Sequence, residues 1–269
     1  MLEMLFNIME WKMPTPTLFG WFHILCLLLT VGVTVLLCWL YKRGYIKHVA
    51  SVVFVMAVVV IVLEIYKQFQ YSFSYDAGVQ FDYQWYAFPW QFCSTPMYVG
   101  YLAALSRGKL QSFLYSYLAT FAMFAGLCVM IYPGDVFTSS VWINIQSMVC
   151  HGSMIVIGVF LYYTGAVKIE HKTILKATAV FSVAVGIAVI LNELAVLIGI
   201  VPNETFNMFF VSRHCDPSLP VYSIVQGLVP YPWCLFIYIL GFTAASYILL
   251  LLAMLGKRIE NQIRIKKAA

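Results

Sequence analysis

Apolar runs of about 20 residues recur along the chain between short polar connections, each long enough to cross the roughly 30 Å of a bilayer's hydrocarbon core. They predict spans over residues 17–41, 48–70, 84–105, 110–131, 141–164, 174–200 and 232–256. The connections alternate in charge. Tyr41–His48, Ser106–Lys109, Val167–Lys176 and Gly256–Lys267 hold 13 of the 16 Lys and Arg. Cytoplasmic loops keep Lys and Arg, and short translocated loops are poor in them. The pattern therefore predicts an all-α polytopic membrane protein of seven transmembrane helices, N-terminus outside and C-terminus inside. Its expected parts are an interfacial or disordered segment over 1–16, the seven-helix domain over 17–256 and a basic cytoplasmic tail over 257–269. Trp21, Trp39, Trp85, Trp142 and Trp233 fall near span ends, where an aromatic belt sits.

The loops on the expected outer side are the less basic ones. Gln70–Tyr83 carries Asp76 and Asp82, and Tyr132-Pro133-Gly134-Asp135 is a turn signal. Val201–Tyr231 is the longest connection and holds Asn203, Glu204, Asn207, Arg213, His214 and Asp216. Its Phe206, Phe209, Phe210 and Tyr222 predict an ordered cap. The first apolar run has no basic n-region before it, so no signal cleavage is expected.

Composition narrows the picture. Of 269 residues 62% are hydrophobic and 10% charged, against about 25% charged in an ordinary soluble domain. The net charge of +5 sits at span ends, which suits topology and anionic lipid and gives no reason to expect nucleic acid. Most of the seven cysteines lie in apolar runs, and none forms a CxxC or paired His–Cys spacing. Neither a disulfide framework nor a metal site is expected.

Chemistry must then be sought among the polar residues inside the spans. Glu64 and Lys67 are three apart and share a helix face, as a structural ion pair or a head-group anchor. Phe88-Pro89-Trp90-Gln91-Phe92-Cys93-Ser94-Thr95-Pro96 has two prolines seven apart, which free backbone carbonyls and bend the helix. Asn144, Ser147 and His151 line one face of the fifth span, and Asn192-Glu193 ends the sixth. Glu193 has no basic residue within a turn and reads as a structural carboxyl, a proton acceptor, or the orienter of His151 or Lys67. Counting from the cytoplasmic ends puts Cys93 and His151 at the same depth, about 20 Å. A thiol becomes a nucleophile when an imidazole takes its proton. A Cys93–His151 dyad would accept an acyl group from a lipid ester. Gln91, Asn144, Ser147, Asn192 and Glu193 would support it or stabilise the oxyanion. Lys67 and Arg213 would meet a lipid phosphate.

The Pro-x-Gln-x-Cys run, His151-Gly152, Asn207-Met208-Phe209-Phe210 and Tyr231-Pro232-Trp233 resemble the signature segments of the YwaF and transmembrane protein 164 family of seven-span membrane proteins. The resemblance runs over roughly residues 17–256. It implies a Cys-dependent acyltransferase acting on glycerophospholipids, with Cys93 as acyl acceptor and His151 as base, in a bacterial plasma membrane. Cys234 and Met208 depart from the pattern, where Tyr is usual. The resulting expectation is an integral membrane acyltransferase or acyl hydrolase with a membrane lipid as substrate and no cofactor. The competing readings are a non-catalytic seven-helix receptor, sensor or small-solute transporter, or a scaffold with a merely structural polar core. Against a retinal protein, the last span lacks a Lys. Against a transporter, no internal repeat is visible.

Overall fold

Side chains in lipid gain little from burial, so helices here pack where small residues and ring stacks let them close. The computed structural model describes residues 11–74, 79–199, 205–215 and 220–268. Asp76, Asn203, Glu204, Asp216 and the stretch 1–10 lie outside the described residues. The helices are α1 (Trp21–Lys42), α2 (Val49–Gln70), α3 (Thr95–Leu105), α4 (Gly108–Ile131), α5 (Val141–Tyr163), α6 (His171–Ile198), α7 (Pro220–Leu228) and α8 (Tyr231–Ala268). A hairpin pairs Phe73–Ser74 with Gln80–Phe81. Among the described residues six helices are long and apolar enough to cross a membrane.

The expected continuous helix over 84–105 is absent. In its place Trp85–Ala87 forms a single 3₁₀ turn, an irregular stretch follows, and only the 11 residues of α3 are regular. The prolines explain this. Pro89 has no N–H and holds Phe88 extended (φ −49°, ψ 135°), and Pro96 fits only the first turn of a new helix. Two other differences are smaller. The long loop contains α7 and a 3₁₀ turn at Met208–Phe210, and α8 runs on through the basic tail to Ala268. Phe206, Phe209 and Tyr222 are buried as a cap would have them, whereas Phe210 is partly exposed.

The most buried helix is α5, which packs on α1, α2 and α4, while α6 packs on α4 and α8. α4 approaches α5 closely at Gly126. A Cβ there would lie 2.7 Å from the His151 carbonyl oxygen. A five-residue π-turn, Leu118–Ala122, interrupts α4 beside α5. Rings bind the remaining elements: Phe181 of α6 stacks on Phe121 of α4 at 4.5 Å and on Tyr238 of α8 at 6.0 Å, and it meets Phe92 at 5.2 Å.

Gly126→Val is expected to push α4 off α5 and lower stability by about 1–3 kcal/mol. Gly186→Val, with open space around it, is expected to be near neutral. Thermal unfolding of the purified protein in detergent compares the two.

Candidate functional site

The irregular stretch between Pro89 and Pro96 is held by a turn of its own and by its neighbours. Ser94 N and Thr95 N both donate to Gln91 O, at 2.9 and 3.0 Å. Trp90 Nε1 donates to Ala184 O (3.2 Å), and the Thr95 hydroxyl lies 2.8 Å from Tyr117 OH. The Cys150 thiol points at Cys93 O, at 3.6 Å. Cys93 is therefore fixed in a turn just before α3, with the positive end of that helix directed toward it.

Three of the amides expected to support chemistry are clamps on main chain. Gln91 accepts from Phe209 N (3.0 Å) and donates to Asn207 O (3.1 Å). Asn192 accepts from Met208 N (2.8 Å) and donates to Met208 O (3.1 Å). Asn144 does the same with Thr138 N and O, both at 2.8 Å. Both ends of each amide are engaged, which gives these residues a positioning role. The Gln91 and Asn192 clamps hold Phe209 in the left-handed region (φ 57°), which is costly for a bulky residue and persists only where surroundings over-determine it. Tyr238 OH adds a third tie, to Phe209 O at 2.8 Å.

Glu64 and Lys67 pair as their spacing predicts, at 2.8 Å, and both are largely buried. Two glutamines complete the carboxylate's partners. Gln68 Nε2 donates at 2.8 Å, and Gln146 Nε2 reaches across from α5 at 3.0 Å. Gln68 also donates to Ala87 O (2.7 Å) and accepts from Tyr83 OH. Burial pushes the Tyr83 phenol up to about 12, so it stays a donor. Gln146 and Cys150 are four apart and share a face of α5. The ion pair thus stands one helical turn from the Cys93 backbone, and Lys67 lies within electrostatic range of both Cys93 and His151.

His151 is 96% buried. Its Nδ1 lies 2.7 Å from Ser147 O and 3.4 Å from the Ser147 hydroxyl. A carbonyl can only accept, so Nδ1 carries the proton and Nε2 presents a lone pair. That Nε2 has no hydrogen-bond partner. Cys93 and His151 do stand level, since Cys150 touches the Cys93 carbonyl. They are not hydrogen bonded to each other: the residue in contact with Cys93 is the neighbour of the histidine.

Glu193 and Arg213 belong elsewhere. Arg213 binds Glu193 at 2.7 Å and His214 Nε2 lies 3.2 Å from the same oxygen, in a partly exposed cluster. Glu193 therefore orients neither His151 nor Lys67. Its hydrogen bond to Arg213 raises that guanidinium above its ordinary value. Sequence reasoning missed Gln68, Gln146 and Cys150. The signals were the four-residue step from Glu64 to Gln68 and the same step from Gln146 to Cys150.

Searches of curated proteins and of solved structures found no match. The TMEM164 family matches residues 18–253, a stretch that takes in the clamps, the ion pair, Cys93 and His151. Together with the six spanning-length helices among the described residues, that match makes the chain an integral, multi-pass membrane protein belonging to the TMEM164 family.

Proposed function

We propose that the protein is a lipid acyltransferase or acyl hydrolase that uses Cys93 and His151 on the acyl esters of glycerophospholipids. The observation that carries this reading is the imidazole of His151. Its tautomer is set by Ser147 O, and its basic nitrogen is buried and unengaged. A structural histidine would normally use both ring nitrogens, since an unsatisfied buried polar atom is costly. Catalytic hydrogen bonds are often loose before substrate binds.

Cys93 Sγ gives its proton to His151 Nε2 as the sulfur attacks the ester carbonyl carbon. The carbonyl π electrons move to oxygen, and the Lys67 ammonium faces that charge. Collapse breaks the ester C–O bond, and the leaving lysolipid oxygen takes the proton back from His151. The acyl group is now a Cys93 thioester. A second lipid alcohol, or water, attacks it with His151 again holding the proton. The sulfur leaves and is reprotonated, and the product is a new ester or a free acid. The acyl ester carries its own activation, so no cofactor enters.

The topology belongs to the same reading. The protein lies with its N-terminus outside and its C-terminus inside, in a bacterial plasma membrane. Trp85–Ser94 and α3 together serve as the seventh crossing, because the chain leaves α2 at Gln70 and starts α4 beside Lys176 of the basic end. Non-helical backbone is tolerated at that depth only where protein covers it, which the clamps supply.

In proteoliposomes with a labelled phospholipid, Cys93→Ala is expected to cut acyl release or transfer by about 10²–10⁴-fold, as is His151→Gln. Lys67→Met should cost roughly 10–10³-fold. Wild-type protein quenched in turnover should carry one hydroxylamine-labile acyl group on Cys93. Full turnover by Cys93→Ala would end the reading. Topology has its own check: an impermeant thiol reagent should label Asp135→Cys on intact cells, and Lys168→Cys only after permeabilisation.

A further inference from the structure

A second site lies on the opposite flank of α5. Its floor is the face of α5 bearing Ile145, Val149, Gly152 and Val156, and its walls are α1 and Met56 of α2. On a helix of 100° per residue this face stands well over 90° away from Cys150. α1 is pinned at one end, where buried His23 holds Met130 O through Nε2 at 2.8 Å and accepts from Phe19 N at 3.0 Å. Further along, α1 meets α5 closely: a Cβ on Gly152 would lie 2.7 Å from Thr30 Oγ1. Beside this contact remains an open groove of about 750 Å³.

The dimensions and chemistry select an occupant. From Trp21 to Val33 the α1 wall runs about 18 Å, and from Val141 to Val156 the floor runs about 22 Å. That is somewhat more than the roughly 15 Å depth of one leaflet. An open, apolar groove of that length suits a single extended chain. The lining is almost wholly apolar. Its Thr30 hydroxyl is turned back onto Cys26 O at 2.9 Å, and none of the unpaired buried polar side chains among the described residues lies in it. At one end the groove reaches Trp11, Lys12 and Trp21, and all three are exposed. An ammonium and two indoles at the same end of a groove suit a phosphate at the membrane interface.

We infer that this groove binds one acyl chain of a glycerophospholipid whose phosphate rests at Lys12, at a site separate from Cys93. It needs only the membrane location already established and stands whether or not Cys93 is a nucleophile.

Nanodiscs holding the full chain and phosphatidylcholine with a mid-chain diazirine test it. After irradiation, cross-linked peptides should favour the groove positions Leu25, Leu29 and Val149 over the outward Leu28 and Leu36 by about tenfold, the signature of a defined site. Val149→Trp should remove most of the label from Leu25 and Leu29. Leu29→Trp, at a more exposed position, does the same for Val149 if the first variant fails to fold. Lys12→Glu should lower groove labelling about fivefold through loss of the phosphate contact. Equal labelling of Leu28 and Leu36, or labelling indifferent to both tryptophans, would overturn the inference. Either result would mean ordinary annular lipid.

Discussion

An amide or carbonyl inside hydrocarbon has no water to fall back on, and this constraint organises the molecule. Prolines at 89 and 96 forbid a continuous third helix, so some half-dozen residues must be irregular at membrane depth. Some of their polar groups are met from outside, where Gln68 takes Ala87 O and Cys150 takes Cys93 O, and others locally, where Thr95 takes Phe92 O. Gln91 then turns the same device outward and fixes the Met208–Phe210 turn. The break is stable only because α2, α5 and the long loop close over it. A cysteine placed in such a break is held by side chains from separate elements, Gln68, Tyr117 and Cys150, which is how a reactive group is made rigid without a helix beneath it.

The same constraint explains the two polar faces of α5. Gln146 and Cys150 look toward α2 and the broken segment, where one meets a carboxylate and the other a carbonyl. Ser147 and His151 occupy the adjoining face, with the backbone at His151 packed against Gly126 of α4. The third side carries only apolar residues, Gly152 and Ser153, and borders the groove. One helix thus separates a polar interior from a lipid-like cleft. Removing either partner of the Glu64–Lys67 pair would strand a buried charge, at about 3–5 kcal/mol. The pair and its two glutamines are therefore part of the packing as well as of the site's electrostatics.

Much of this was legible in the sequence, and the remainder failed for identifiable reasons. Hydropathy located the long helices, because length and apolar run carry that information directly. The i, i+3 spacing of Glu64 and Lys67 gave their pairing, because the helix itself sets the distance. Depth counting brought Cys93 level with the fifth span, but a count along two axes gives no rotation about either one. It therefore set Cys93 beside His151 without giving which residue of the fifth span meets its backbone, which is Cys150, 100° around the helix. Asn144, Gln91 and Asn192 were identifiable as buried amides. An amide offers both a donor and an acceptor, and nothing local states whether a substrate or a loop will use them. Glu193 lacked a partner within a turn because its partners, Arg213 and His214, return from a loop some 20 residues on.

The unbonded state of Cys93 and His151 has a physical logic of its own. A preformed thiolate–imidazolium pair would set two charges in a medium where each is expensive, and only close contact repays that cost. Holding the thiol and imidazole neutral and apart avoids the cost in the resting protein. Glu64 pairs with Lys67 at 2.8 Å, so their charges oppose each other at the sulfur. A developing oxyanion would draw on Lys67 at the moment charge appears, and a phosphate brought by a lipid would do so before it. Under this reading the ion pair is a reserve of positive potential, kept neutral by its own carboxylate and its two glutamines. Selectivity for charged over neutral lipids would then reside at the buried Lys67 on α2, one of the two cations the sequence put forward for that task, and not at the exposed Arg213.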